Sequence, residues 1–135
     1  MGDLVIMKQK KADLILFSVG AAGYGLLEVL WRGYTHWSML CAGGICFVFF
    51  GKISEKLKKS NIFFKALIGS AFVTLIEFIF GIIFNIILKK NVWDYSKLPF
   101  NLCGQICLVF SLFWWFLSIA FIPLAEYLKK KISKL

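Results

Sequence analysis

The sequence predicts an all-α integral membrane protein built as a bundle of four transmembrane helices. Of its 135 residues, 60% are hydrophobic, against about 45–50% in an ordinary soluble domain. Four apolar stretches approach or exceed the length of about 20 residues that crosses a bilayer. A soluble domain of this size could not bury so much apolar surface. The composition therefore argues against a disordered chain, a soluble enzyme and a disulfide-stapled secreted module.

The predicted helices cover approximately residues 13–32, 37–53, 66–88 and 101–128, within one transmembrane domain of residues 1–135. Each stretch is expected to be helical because the bilayer core offers the backbone no water to bond. The second is short, and the fourth is long enough to tilt or project from the membrane. The lysines followed by the first apolar run resemble a signal peptide. However, the apolar run continues well past the Ala-Ala-Gly segment that would be the cleavage site, which favours a transmembrane helix that is kept in the mature protein.

The positive charges predict an orientation. Three lysines precede the first helix, five lie in or beside the second loop and four lie at the C-terminal end, so that side carries twelve positive charges against four on the other. The positive-inside rule therefore places both termini in the cytoplasm. A net charge of +9 is also typical of nucleic-acid-binding proteins. Because the lysines flank apolar runs, we expect lipid and not nucleic acid as the partner.

Two segments of the chain resemble each other, residues 40–49 and residues 102–110, each with two cysteines. Each follows a tryptophan and a helix that carries one glutamate. This predicts two pseudo-repeated helical hairpins in parallel orientation, related by an axis along the membrane normal, as in some transporters. The alternative is a chance likeness between apolar helix starts.

Small and polar residues recur every three or four positions on three of the helices, which predicts an inward-facing seam on each. In the third helix they are Ser70, Thr74, Glu77, Gly81 and Asn85; in the first, Ser18, Ala21, Gly25, Glu28 and Arg32; in the fourth, Gly104, Cys107, Ser111 and Ser118. The seams are consistent either with a dry, packed bundle or with a polar path between the two hairpins.

The two intramembrane glutamates are predicted to differ. Glu28 lies four residues before Arg32, so the two can form an ion pair near the membrane surface. Glu77 lies at the centre of the third helix, with no Lys or Arg within a turn. A carboxylate at the bilayer midplane costs at least about 2.5 kcal/mol. Glu77 is therefore expected to carry a proton, or to face water or a bound cation.

The cysteines and the histidine give weaker signals. The pairs Cys41/Cys46 and Cys103/Cys107, with His36 nearby, suggest a soft metal site or an interhelical disulfide. Their spacings are not those of a zinc site, and buried cysteines usually pack as small hydrophobes. We therefore expect no metal site and no cofactor. His36 is interpreted as an interfacial residue, with a proton relay as the alternative.

A block that follows the third helix resembles the signature of the ABC-transporter permease family of type IV, which are small, multi-pass bacterial membrane proteins. The block is Trp93-Asp94-Tyr95-Ser96, followed by Pro99, Asn101 and Gly104-Gln105-Ile106. The family pattern also has a glutamate in the first helix and a glutamate four residues before a glycine in the third, which Glu28, Glu77 and Gly81 match. The resemblance extends over residues 20–118. Trp115 departs from the pattern, which has glycine there.

The block itself allows two interpretations. Asp94 and Ser96 are predicted either to form a turn or to cap the start of the fourth helix by accepting backbone N–H bonds. The functional alternative makes Asp94 part of an outer gate or a ligand for a cation.

The predicted function is transport. The chain has no Gly-rich phosphate loop, no H-E-x-x-H motif and no Ser-His-Asp arrangement, so an enzyme is not expected. The resemblance implies a cytoplasmic-membrane location in bacteria and a separate ATPase subunit, which could dock on the basic loop of residues 52–65. Four helices are few for a permease, so a homodimer is expected.

We therefore predict a small membrane transport protein, or a transporter subunit, that moves a small molecule or ion and uses an intramembrane carboxylate as its proton- or cation-coupling group. The alternative is a structural or regulatory membrane protein that transports nothing. The residues expected to bind or couple are Glu77, Glu28, Asp94, Tyr95, Asn101, Asn85 and Trp93.

Overall fold

Four long helices make up the protein in a computed structural model that describes residues 2–134. They are α1 (Gly2–Arg32), α2 (Trp37–Lys56), α3 (Ile62–Gly81) and α4 (Leu108–Ser133). A π-helical segment, Ile82–Ile87, continues α3, and a small hairpin of β1 (Asn101–Leu102) and β2 (Ile106–Cys107) precedes α4. With its π-helical extension counted, each helix is long and apolar enough to cross a membrane. The predicted four-helix membrane bundle is confirmed.

The helices pack as two antiparallel hairpins. Helix α1 lies mainly against α2, and α3 lies mainly against α4, with α2 also contacting α3 and α4. Because successive helices run in opposite directions, both chain termini lie at one end of the bundle, which we call the terminal end. Residues 33–36 and 82–107 lie at the opposite end, which we call the loop end.

The surface of the bundle is apolar. Large hydrophobic side chains such as Leu30 (75% exposed), Leu14 (67%) and Phe116 (62%) point outwards. In water such a surface would drive association, whereas in a bilayer it contacts lipid tails. The interior is centred on α2 and α4, where Phe47, Phe50 and Ile122 pack together with Leu16, Ile53 and Ala125.

Helices α1 and α2 approach each other closely at two glycines. A Cβ atom on Gly20 would lie 2.7 Å from the carbonyl oxygen of Gly43, and a Cβ on Gly43 would lie 3.0 Å from that of Gly20. Small residues at such crossings let two backbones approach in a membrane. The predicted seam of α1 is wrong at Ser18, which is exposed and bonds the carbonyl of Leu14 within its own helix.

The first three helices differ from their predicted bounds at their ends. Helix α1 begins at Gly2 and not near residue 13, and α2 continues to Lys56 and not residue 53. Helix α3 begins at Ile62 and not residue 66, because Oδ1 of Asn61 accepts a hydrogen bond of 2.8 Å from the N–H of Phe64 and caps the helix there.

The fourth helix departs from the prediction at both ends, since it begins at Leu108 and not at residue 101, and it continues to Ser133 and not residue 128. Cys103 and Gly104 have φ of +56° and +70°, which no α-helix accommodates. They turn the chain between β1 and β2, where Asn101 pairs with Cys107 and Leu102 with Ile106. The similar residues 40–49 are helical throughout, so this likeness of sequence is not a likeness of conformation.

Ion pairs join three helices at the terminal end. Nζ of Lys129 lies 3.1 Å from Oε1 of Glu55 and 3.9 Å from Oδ1 of Asp13. Nζ of Lys52 lies 3.6 Å from Oδ2 of the same Asp13. The cluster therefore links α1, α2 and α4 beneath the apolar interior.

Candidate functional site

A partly open cavity of about 330 Å³ lies between the four helices. Its walls are apolar and aromatic, and α1, α2, α3 and α4 all contribute to them. Glu77 lies in the α3 wall, and only 7% of this residue is exposed. Among residues 2–134, Glu77 supplies the one charged side chain that lines the cavity. The Glu77 carboxylate therefore dominates the electrostatic potential inside this apolar cavity.

Neutral groups bond the Glu77 carboxylate. The hydroxyl of Tyr95 donates to Oε2 at 2.9 Å, and Nε1 of Trp114 donates to Oε1 at a longer 3.4 Å. The ion pairs found among residues 2–134 involve other carboxylates. Both carboxylate oxygens of Glu77 thus accept a hydrogen bond. If Glu77 is ionised, its negative charge has no cationic partner within residues 2–134.

The polar seam of α3 continues on the side of the terminal end. The hydroxyl of Ser70 donates to the carbonyl of Ser111 at 2.6 Å, and Thr74 shares a hydrogen bond of 2.8 Å with the Ser111 hydroxyl. Ser70, Thr74 and Glu77 therefore share one inward face, as their spacing predicted, and this face meets α4. These bonds fix the rotation of α3 about its axis and so direct Glu77 towards the cavity.

Tyr95 is the loop-end residue that reaches the cavity carboxylate. Its ring stacks on Phe110 of α4, with centroids 4.7 Å apart and planes 4° from parallel. Burial, together with the neighbouring Glu77, raises the pKa of the Tyr95 phenol above its usual value. The phenol therefore keeps its proton and acts as a donor.

Glu28 pairs with Arg32, as its spacing predicted. Nη2 of Arg32 donates to Oε1 of Glu28 at 3.0 Å, and Nε lies 3.0 Å from Oε2. Nη1 also donates to the carbonyl of Val92 at 2.7 Å. The pair thus fastens the end of α1 to the loop end, while Glu77 has no such partner.

Asn85 and Trp93 organise the loop end. Oδ1 of Asn85 accepts from the N–H groups of Val92 at 2.7 Å and Trp93 at 3.4 Å, and its Nδ2 donates to Oε1 of Gln105 at 2.8 Å. The indole N–H of Trp93 donates to the carbonyl of Gln105 at 2.9 Å. We call this set the loop-end clasp. It lies directly over Gly81, where a Cβ would come within 2.6 Å of Gln105 Oε1.

Asp94 and Asn101 hold turns. Oδ1 of Asp94 accepts from the N–H of Ser96 at 2.9 Å, and this bond lowers the pKa of the Asp94 carboxyl. Asn101 donates to the carbonyls of Ser96 and Leu98 and accepts from the N–H of Gly104. The predicted turn is present, but the predicted cap is wrong, because α4 begins well beyond this turn, at Leu108.

The cysteines and His36 have structural surroundings. All four cysteines are free thiols; Cys46 and Cys107 are buried, and Cys103 is exposed. Within residues 2–134, no group of three or more His, Cys, Asp and Glu side chains is placed to hold a metal ion. Nδ1 of His36 accepts from the N–H of Ser38 at 3.2 Å and so caps α2.

Sequence reasoning missed Tyr24 and Trp114, and it named Gln105 only as part of the signature block, without a role in the site. A signal existed for the first two. Trp114 follows Ser111 by three residues and precedes Ser118 by four, so it belongs to the same seam of α4, and Tyr24 lies one turn before Glu28 on α1. The role of Gln105 could not be found in this way, because its position depends on the hairpin.

Residues 14–135 match the family model described as "Putative ABC-transporter type IV". The chain belongs to this family. The predicted resemblance is thereby confirmed, and the family fits a multi-pass membrane protein of a transport system. No curated protein and no solved structure shows significant similarity to the chain.

The signature block of this type IV transporter chain forms the loop end. Its tryptophan, aspartate and tyrosine are Trp93 in the clasp, Asp94 in the turn and Tyr95 on Glu77. Trp115, which replaces the expected glycine, lies on α4, where Nε1 donates to the carbonyl of Phe63 at 3.1 Å. It therefore packs α4 against the first turn of α3 and lies away from the cavity.

Proposed function

We propose that this protein moves a small solute across the bacterial cytoplasmic membrane and that Glu77 is the proton- or cation-coupling group. The observation that carries the proposal is a buried carboxylate on the wall of an intramembrane cavity, bonded by two neutral donors. Ionisable residues inside membranes are costly and are usually functional. A purely structural carboxyl group would be expected to lie in a closed interface and not beside open space.

The bond between Tyr95 and Glu77 also links the state of the carboxylate to the conformation of the loop end. Tyr95 contacts Glu77 from the loop end and not from a helix. A change in the charge or ligand of Glu77 alters the strength of this bond, and the loop end carries the change towards one membrane surface. Asp94, Asn101, Asn85 and Trp93 act in this proposal by holding that segment in place, and Glu28 by anchoring it through Arg32.

Family membership supports a partner and an orientation. We propose that a separate ATPase subunit docks at the terminal end, where Lys52, Lys56, Lys58 and Lys59 cluster near the short link between α2 and α3. An ATPase is cytoplasmic, so this placement agrees with the excess of lysines at that end. We further propose a homodimer as the working unit.

The experiment is proton flux in liposomes that contain the purified protein and an internal pH-sensitive dye. After a pH gradient is imposed, K⁺, Na⁺, tetramethylammonium, tetraphenylphosphonium and zwitterionic amino acids are added in turn. We expect at least one of them to collapse the gradient faster in wild-type vesicles than in protein-free vesicles. Glu77→Gln should remove this acceleration while the protein remains inserted and folded, because the amide cannot exchange a proton.

Two matched variants act as controls. Glu28→Gln should reduce the rate less, since this carboxylate is already paired with Arg32. Glu126→Gln should leave it unchanged, because Glu126 pairs with Lys130 at the terminal end. Equal fluxes in wild type and Glu77→Gln, or no acceleration by any solute, would overturn the proposal and favour a structural or regulatory membrane protein.

A further inference from the structure

Aromatic rings dominate the walls of the cavity around Glu77. They belong to Tyr24, Phe47, Phe80, Trp93, Trp114 and Phe121. The ring centroids of Tyr24 and Trp114 lie 6.1 Å apart, and the ring planes are tilted by 53°. Trp114 bonds Glu77, and Tyr24 lies beside Trp114. Aromatic faces attract cations through their quadrupoles, and the attraction grows when water is removed. The walls therefore reinforce the charge preference of the carboxylate.

The same walls argue against other classes of ligand. An inorganic cation needs several oxygen ligands to replace its hydration shell, and the lining residues offer few oxygen-bearing side chains besides Glu77, chiefly Tyr24 and Ser118. An anion would meet the carboxylate unfavourably. A neutral apolar solute would gain nothing from a buried carboxylate. An organic cation with apolar or aromatic substituents satisfies both the carboxylate and the walls.

We propose that this cavity binds a lipophilic organic monocation, with the charge beside Glu77 and the substituents against the aromatic walls. The inference rests on the proposed transport function and names its substrate class. The volume of about 330 Å³ lies at the small end of the roughly 300–1,000 Å³ range of ligand pockets. It therefore fits one compact molecule.

Binding and protonation compete for the same group. When Glu77 carries a proton, an arriving monocation displaces it, one proton leaves and the net charge of the site is unchanged. Other titratable groups face the cavity or its rim: Tyr24 on α1, Cys46 on α2 and Tyr95 from the loop end, while Trp114 and Ser118 of α4 do not titrate. Glu28 is held by Arg32. The displaced proton is therefore assigned to Glu77.

The test is equilibrium binding of tetraphenylphosphonium to the detergent-solubilised protein, by calorimetry against protein-free micelles. We expect saturable binding, with weakening by roughly thirtyfold or more in Glu77→Gln and no change in Glu126→Gln. Triphenylphosphine oxide, a neutral analogue, should show no saturable binding.

The aromatic walls are tested separately. Tyr24→Leu should weaken the binding of tetraphenylphosphonium by about threefold, while Phe116→Leu, at an outward-facing ring, should not weaken it. The proposal would be overturned if the neutral analogue bound as tightly as tetraphenylphosphonium. It would also be overturned if Glu77→Gln and Glu126→Gln bound tetraphenylphosphonium equally well.

A measurement on the wild type protects the test against a misfolded variant. Titrations in two buffers of different ionisation enthalpy should show release of about one proton per cation at a pH low enough for Glu77 to be protonated before binding, as competition for one carboxyl requires. Binding without proton release at any pH would contradict the model. If tetraphenylphosphonium fails to bind while another solute drives Glu77-dependent flux, the substrate class fails and the transport proposal stands. If tetraphenylphosphonium binds while no solute drives flux, the transport proposal fails and the assigned ligand class stands.

Discussion

The hydroxyl of Tyr95 donates a hydrogen bond of 2.9 Å to Oε2 of Glu77, joining the loop end to α3 at a position four residues before that helix ends at Gly81. Eighteen positions separate the two residues in the chain. Their contact requires the chain to leave α3, to fold back over Gly81 and to place the Tyr95 ring against Phe110. The loop end is thus part of the site and not merely a connection between two helices.

Replacing Tyr95 with phenylalanine should keep the stacking on Phe110 and remove the bond to Glu77. We expect stability to fall by about 1 kcal/mol, as for other polar contacts in membrane proteins, and the solute-driven flux to fall more steeply. Thermal unfolding in detergent and the liposome assay measure the two effects. If the flux is unaffected, Tyr95 has no part in coupling.

Replacing Asn85 with alanine should release the loop-end clasp. The change removes the acceptor of the Val92 and Trp93 N–H groups and the donor to Gln105. At roughly 0.5–1.5 kcal/mol for each bond, the loss should appear as faster amide exchange over residues 92–107. Lys97→Ala, in the same segment, should not change it. Unchanged exchange in Asn85→Ala would show that the clasp is redundant.

Two glycines of α1 should respond in opposite ways to alanine. A Cβ on Gly20 would meet Phe47 and the Gly43 carbonyl, so Gly20→Ala should destabilise the protein by about 1–3 kcal/mol through overpacking. A Cβ on Gly23 meets nothing within 4 Å, so Gly23→Ala should be neutral or stabilise the helix by up to about 1 kcal/mol. Unfolding temperatures of the two variants compare them directly; similar values would contradict the close approach of α1 and α2.

Orientation can be measured with single cysteines in a background where the four native cysteines are serine. Cysteines at Ser60 and Ser133, at the terminal end, should react with a membrane-impermeant thiol reagent only from the cytoplasm. A cysteine at Ser96 should react only from outside. The native Cys103, which is exposed at the loop end, gives an independent reporter when restored alone. Reaction of position 60 from outside would reverse the topology.

A homodimer is expected in mild detergent. The apolar faces of the bundle allow two copies to pack in the membrane, and closed two-fold assemblies are the commonest kind. Mass measurement of the protein–detergent particle tests this. A protein mass of 15.4 kDa in every gentle detergent would exclude the dimer.

Periodicity predicted the helices and one side of the site. The positions of Ser70, Thr74 and Glu77 follow from the 3.6-residue repeat, and the pairing of Glu28 with Arg32 follows from a spacing of four. The start of α4 could not be found in this way, because residues 101–107 are apolar enough to continue a helix. Their hairpin depends on positive φ at Cys103 and Gly104 and on the hydrogen bond from the N–H of Gly104 to Oδ1 of Asn101. The contacts of Gln105 could not be predicted for the same reason.

The two ends of the bundle differ in how much of the contact between their helices depends on charge. The loop-end clasp consists of bonds between neutral amides, carbonyls and an indole. The terminal end depends on Lys52 and Lys129 around Asp13 and Glu55. Salt screens exposed charges, with a Debye length that falls from about 10 Å at 0.1 M to about 3 Å at 1 M. At the loop end, the one ion pair within residues 2–134 joins Glu28 to Arg32, and it is partly buried. Concentrated salt should therefore loosen the terminal end more than the loop end, so that electrolyte acts mainly on one end of the bundle.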